Sequence, residues 1–195
     1  MIYKNDVSET KMKKIIIMPD SFKGSLSARD FCKITKEVLN KYFPDCEIKT
    51  FPVADGGEGT TDCFLSIGGF EKIPVRVKNA FMEGTEAYYA FNGETRVIET
   101  AACASLPSAK GRENPVTTTT YGVGQMMRHA AAIGAKRILL GLGGSCTNDA
   151  GAGMARGAGV KFFDRAGKEF IPVGGTLDLI ANFDDGLYKK RVCRH

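Results

Sequence analysis

Three short stretches of this chain set glycines beside acids or hydroxyls: Pro19-Asp20-Ser21-Phe22-Lys23-Gly24-Ser25, Asp55-Gly56-Gly57-Glu58-Gly59, and a glycine-dense run from Gly141 to Gly159. The acids offer the hard oxygen ligands that magnesium takes, or a group able to orient a hydroxyl. Lys23 can neutralise a phosphate oxygen. Gly143 and Gly144 remove β-carbons that would hold the main chain away from a ligand, and Ser145, Thr147, Asn148 and Asp149 place short polar groups just ahead of a helical stretch. The first amides of a helix lack internal partners and favour an anion. Phosphoryl transfer asks for this set of parts, since it rests on positioning and charge neutralisation more than on covalent chemistry. Each part also has a plainer use. A lone aspartate forms turns or caps helices, a lysine solvates a surface, and glycines permit tight helix packing. Neither the G-x-x-x-x-G-K-[ST] pattern nor a G-x-G-x-x-G with its downstream acid is present.

Other reactive residues form no constellation. His129 falls on a helical stretch and His195 is terminal, so a nucleophile-histidine triad is not expected. The six cysteines contain no C-x-x-C pair, which points to free thiols; Cys146, inside the central run, reads as a small buried neighbour before it reads as a nucleophile. Met126 and Met127 read as core filler, and Tyr88-Tyr89 as strand.

The elements that would carry the three stretches follow from periodicity. Ile15, Ile16, Ile17 and Met18 make a short branched run ended by Pro19, as expected of a buried parallel strand. Phe31, Ile34, Val38, Leu39 and Tyr42 recur at helical spacing, with Ser27 as N-cap and Asp30 in the first turn. A second strand over 47–53 delivers the Asp55 stretch, and a helix over 61–67 stops at Gly68-Gly69. From about residue 70 the period changes to two: Ile73, Val75 and Val77, then Ala87, Tyr89 and Phe91, then Asn92-Gly93 as a hairpin turn before Thr95, Val97 and Ile98. Thr119 or Thr120 caps a helix running to Ile133 and closed by Gly134. Ile138, Leu139 and Leu140 form the strand into the central run, a helix follows it, and Asp164-Arg165-Ala166-Gly167 turns a hairpin. Residues 174–195 show little pattern. Polar, aperiodic residues 1–12 read as a flexible extension.

Composition narrows the class. Lysine and arginine number 27 against 22 acids, a net charge of +5 with the signs interspersed. That suits an anionic small molecule and offers no patch for nucleic acid. No apolar signal segment and no bilayer-spanning run is seen, so the expectation is a reducing cytoplasm and no membrane partner.

Four blocks, Lys14-Ile-Ile-Ile-Met-Pro-Asp-Ser-Phe-Lys-Gly-Ser-Leu-Ser-Ala28, Pro52-Val-Ala-Asp-Gly-Gly-Glu-Gly-Thr60, Thr118-Thr-Thr-Tyr-Gly-Val-Gly124 and Gly141-Leu-Gly-Gly-Ser-Cys-Thr-Asn-Asp-Ala-Gly-Ala-Gly-Met154, closely resemble the bacterial glycerate kinase family in sequence and order. The resemblance covers nearly all of residues 13–175. It implies ATP-dependent phosphorylation of D-glycerate with Mg2+, at the 2-hydroxyl, and an α/β fold. In that fold a flavodoxin-like, Rossmann-like parallel-sheet domain, begun here by 13–68, receives an inserted mixed α/β domain, 69–195. Family members run to nearly twice this length, so the chain corresponds to the N-terminal half, with both domains incomplete. By the matched motifs, Asp20, Lys23 and Asp55 are the candidate catalytic residues. Ser21, Ser25, Gly56, Gly57, Glu58, Gly143, Gly144, Ser145, Asn148 and Asp149 are the candidates for substrate and phosphate binding, and Asp55 and Glu58 for the metal. ATP and D-glycerate are the expected partners, with homodimerisation left open. Two rival readings stand beside it: a non-catalytic remnant binding at most an anionic metabolite, and a flavin-binding module suggested by the βαβ opening.

Overall fold

The computed structural model describes residues 13–22 and 24–191. The expected extension 1–12, Lys23, Cys193 and His195 lie outside the described residues. The chain forms two compact units that divide between Val53 and Ala54.

The first unit is a βαβ turn of chain. Strand β1 (Lys14–Ile17) and strand β2 (Glu47–Thr50) pair in parallel, Ile15 opposite Ile48. The joining helix α1 (Ala28–Tyr42) starts as its sequence dictates: Ser27 takes an extended conformation and its hydroxyl oxygen accepts from Asp30 N at 3.0 Å, while the same hydroxyl donates to the Asp30 carboxylate. The helix stripe divides. Cys32 packs with Ile17 and Ile48, joined by Phe31 and Leu39, whereas Ile34, Val38 and Tyr42 are exposed. Strand β1 is likewise not buried on both faces, contrary to expectation: Ile16 is 56% exposed, because the strand pair has a single helix to cover it. Strand β2 is shorter than expected, although Phe51 N and Val53 N still donate to Ile17 O and Pro19 O.

The second unit is built on a four-stranded sheet of order β3-β4-β5-β6, with β3 (Glu71–Lys78), β4 (Gly84–Phe91), β5 (Thr95–Glu99) and β6 (Arg137–Gly141). The first three strands run antiparallel and β5 pairs with β6 in parallel, Val97 opposite Leu139. The β4–β5 turn uses the expected asparagine and glycine: Asn92 Oδ1 accepts from Thr95 N, and Gly93 supplies a φ of 90°. Helix α2 (Thr60–Ser66) precedes the sheet and ends at Gly68 and Gly69, both with positive φ. The short α3 (Ala101–Ala104) and the longer α4 (Tyr121–Ala132) follow β5. The core gathers Val77, Tyr89, Ile98, Val123, Met126 and Ala130 with Cys103 and Cys146.

Helix α5 (Ala152–Ala158) crosses α4 backbone against backbone: a β-carbon on Gly157 would overlap Tyr121 O, and one on Gly124 would overlap Met154 O. The chain continues as the hairpin β7 (Lys161–Phe163) and β8 (Glu169–Phe170), turned by Asp164, whose Oδ1 accepts from Ala166 N and Lys168 N. The patternless stretch after 174 holds structure that the sequence hid: β9 (Asn182–Asp184) pairs with β7, Phe162 opposite Phe183, and α6 (Gly186–Arg191) follows. No helix among the described residues is long and apolar enough to cross a membrane.

Candidate active site

Strands β5 and β6 run in parallel, so their carboxyl ends lie side by side, the position where α/β sheets present ligands. Strand β6 opens into the central run there, and β5 ends on Glu99, after which Thr100 N donates to Gly141 O at 2.8 Å. The Asp55 loop joins this edge directly. Gly143 N donates to Gly56 O at 2.9 Å, and the two loops touch so closely that a β-carbon on Gly143 would stand 2.8 Å from Gly57 N. Two of the three stretches singled out by sequence are therefore brought together within one unit. The third, with Asp20, Ser21 and Ser25, belongs to the first unit.

That third loop is a tight corner at the carboxyl end of β1. Phe22 and Leu26 form a bridge, Ser25 Oγ donates to Phe22 O, and Ser21 N donates to Asp20 Oδ1. The Asp20 and Ser25 side chains are exposed and Ser21 is half-buried.

In the Asp55 loop, both carboxylates are exposed. Asp55 Oδ1 accepts from Gly57 N at 2.9 Å, an arrangement that fixes the loop and leaves Oδ2 directed to no hydrogen-bond donor among the described residues. Behind them stands Glu99, which sequence reasoning passed over. It is 7% exposed, and its two oxygens accept from Gly59 N at 3.3 Å and Thr61 N at 2.8 Å, satisfying the first amides of α2 where Gly59 offers no capping side chain. The available signal was an acid ending an apolar strand at its ligand-bearing end.

Burial raises the Glu99 carboxyl above the ordinary glutamate range, against the opposing pull of the Thr61 and Gly59 amides. The folded chain thus keeps this proton to higher pH than the unfolded chain. Its contribution to stability is complete below the unfolded value of about 4.3 and is lost as pH rises through the raised folded value. Denaturant unfolding at several pH values above about 4 should show wild type losing stability relative to Glu99→Gln as pH rises. Parallel curves would show that Glu99 ionises alike in both states.

The central run is pinned on several sides. Leu106 N donates to Gly144 O, Ser105 and Ser145 form a bridge, Cys146 N donates to Ala104 O, and Thr118 Oγ1 donates to Cys146 O. Ser145 Oγ and Thr147 Oγ1 lie 2.6 Å apart, half-buried, and Asn148 is exposed. Cys146 is buried and its thiol pushed up by desolvation, while its core neighbour Cys103 is pushed up to about 12 by burial; neither is a poised nucleophile.

Asp149 and Gly143 depart from their expected roles. Asp149 is 1% exposed and faces inward. Its carboxylate accepts from Thr120 N at 2.7 Å, from Gly151 N and Gly153 N, and from the Thr119 and Thr120 hydroxyls. The anion expected at the start of α5 is the chain's own, so Asp149 holds the run in place and does not reach a phosphate. For the same reason Thr120 holds the cap position of α4 without capping it: its hydroxyl serves Asp149 and accepts from Met154 N. Gly143 gives its bare backbone to Gly57 instead of to a ligand, and Gly144, with a φ of 70°, is required by the bend.

Magnesium binds through one or two carboxylates, keeps waters and takes phosphate oxygens. Asp55 and Glu58 fit that donor set. Among the described residues no group of three or more His, Cys, Asp or Glu assembles, so a cation here would draw its remaining oxygens from outside the protein.

A sequence profile described as the glycerate kinase family matches residues 15–194. A glycerate kinase of Bacillus cereus is 38% identical over 88% of this chain and 46% of its own length, and the glycerate 2-kinase of Escherichia coli is 36% identical over the same shares. The crystal structure of a protein from Salmonella typhimurium LT2 provisionally assigned as glycerate kinase 2 superposes with a TM-score of 0.75 at 33% identity, over 92% of this chain and 49% of that one. The chain thus spans about half the length of the curated relatives it matches.

Proposed function

Since the chain belongs to the glycerate kinase family, we propose that its paired loops serve the ATP-dependent phosphorylation of D-glycerate, giving 2-phosphoglycerate. The observation that carries this reading is the backbone bond from Gly143 to Gly56, which sets two exposed carboxylates beside a bent, glycine-bearing loop at the carboxyl ends of two parallel strands. The position of transfer follows the name of the Escherichia coli relative, which specifies the 2-kinase. In this reading Asp55 accepts the proton of the attacking hydroxyl and shares with Glu58 the binding of magnesium. The main chain at Gly57 and Gly144, with Ser145 and Asn148, orients the anionic substrates. Asp20, Lys23, Ser21 and Ser25 stay, in this reading, the first unit's candidates for contacting a phosphate oxygen. Magnesium, when bound, neutralises charge on the phosphate oxygens. The division into a flavodoxin-like domain and an inserted mixed α/β domain, and a cytoplasmic setting, belong to the same proposal.

Purified chain with ATP, magnesium and D-glycerate should form ADP, and Asp55→Asn should lower turnover by about 100-fold or more while leaving the melting temperature nearly unchanged. A folded chain that forms no ADP, and whose melting temperature neither ATP nor D-glycerate moves, would exclude the reading for this chain and favour the remnant that at most holds an anionic metabolite.

A further inference from the structure

Glu58 stands between Gly57 and Gly59, so the chain on both sides of this carboxylate has the widest conformational choice of any residue type. What fixes the corner comes from elsewhere. Upstream, Gly56 O accepts from Gly143 N, just past the end of β6, and Asp55 Oδ1 accepts from Gly57 N. Downstream, Glu99 at the end of β5 takes Gly59 N on Oε1 at 3.3 Å and Thr61 N on Oε2 at 2.8 Å. The loop is thus strung between the carboxyl ends of two neighbouring strands, with a tie at each.

Other bonds at the corner do a different job. Those from Thr60 N and Thr60 Oγ1 to Gly57 O close the corner on itself without fastening it to the sheet. Helix α2 has a hold of its own, because the Tyr88 hydroxyl donates to Asp62 Oδ1 at 2.9 Å, so loss of the Glu99 tie frees the corner and leaves the helix docked. The chemistry of the group matters as well. A carboxylate gives one acceptor oxygen to each amide, whereas glutamine keeps one acceptor and turns an NH2 toward the second N–H. Glu99 is 7% exposed, which leaves water little room to make up the missing bond.

We propose that Glu99 is a positioning residue for a divalent cation at Asp55 and Glu58, touching neither metal nor substrate and holding the Glu58 corner so that both carboxylates can serve one ion. This role presupposes that Asp55 and Glu58 bind the cation, as proposed above. Magnesium demands near-ideal octahedral geometry, so a ligand on a loosened corner contributes less to holding it. Groups that hold a metal ligand from behind typically change affinity by about 10–100-fold when removed.

The test uses Mn2+ alone, an oxygen-seeking paramagnetic stand-in for Mg2+, with the 15N-labelled chain. It reads the broadening of amides 55–60 as Mn2+ is titrated, and the order of the same amides from heteronuclear NOEs before metal is added. Wild type should show saturable broadening over these residues, and Asp55→Asn should abolish it. Glu99→Gln should shift the Mn2+ midpoint about tenfold or more upward and lower the order of Glu58 and Gly59, while amides 62–66 keep theirs. If Glu99→Gln does not fold, Glu99→Asp, whose two oxygens sit on a shorter stem, carries the same expectation. A role confined to stability would lower the unfolding midpoint and leave Mn2+ affinity and loop order alone. The proposal is overturned if either readout is unchanged in the folded Glu99 variant while Asp55→Asn still loses the metal. A wild type that binds no Mn2+ at 55–60 removes the cation assignment itself, and the role of Glu99 with it.

Discussion

Asp149→Ala is expected to lower the melting temperature by about 8–16 °C, corresponding to a loss of about 4 kcal/mol. The size follows from what the carboxylate leaves behind. Thr120 N, Gly151 N and Gly153 N are donors that lose their acceptor in or beside the core, and an unsatisfied buried donor costs about 1–3 kcal/mol. The Thr119 hydroxyl can turn to Pro172 O, 3.0 Å away, which limits the damage on that side. Asp149→Asn should fall between wild type and alanine, since one oxygen survives while the new NH2 confronts amides that also donate. Thermal unfolding followed by circular dichroism measures both. A loss below about 1 kcal/mol for alanine would mean that water replaces the carboxylate, and the inward role assigned to Asp149 would fail.

The crossing of α4 and α5 gives the second large effect, and there two physical terms predict opposite signs. Helix propensity alone says that Gly→Ala stabilises a helix interior by up to about 1 kcal/mol. At Gly157 the added carbon meets Tyr121 O and stands 3.0 Å from Gln125 N; at Gly124 it meets Met154 O and stands 2.6 Å from Ala158 N. These neighbours are main chain and cannot swing aside, so the helices must separate. We expect Gly157→Ala and Gly124→Ala each to destabilise by about 3 kcal/mol or more, toward the upper end of overpacking costs. Denaturant midpoints decide the sign directly. Any gain in stability would show that the crossing relaxes and that the glycines are not required for it.

How far the sequence reaches depends on the range of the interactions. Ser27 with Asp30, Asn92 with Thr95, and Asp164 with Lys168 each close within four residues, so the helix start and two hairpins were legible from neighbours alone. The central run was half legible. Its strand and following helix stand where the pattern puts them, but its glycines divide by partners far away in sequence: Gly143 against Gly57, Gly153 against Thr119, Gly157 against Tyr121. Asp149 looked like a ligand for an anion because its partners, Thr119 and Thr120, lie thirty and twenty-nine positions earlier. Glu99 was passed over for a related reason: its place at the end of an apolar strand marked it, but its job at α2 reaches back 38 residues to Thr61. Strand β9 is three residues long and exposed, and no period can show in so short a stretch.

The larger sheet has unlike margins. Along β3, Pro74 has no amide hydrogen to offer, and the Lys78 amide, which faces the same outer side, is already taken by Gln125. Along β6, the margin is a run of five residues without a proline, with Leu139 41% exposed. A newcomer strand would meet a proline and a spent amide along β3 and neither along β6 before the Asp55 loop, so lateral growth of this sheet is polarised toward β6.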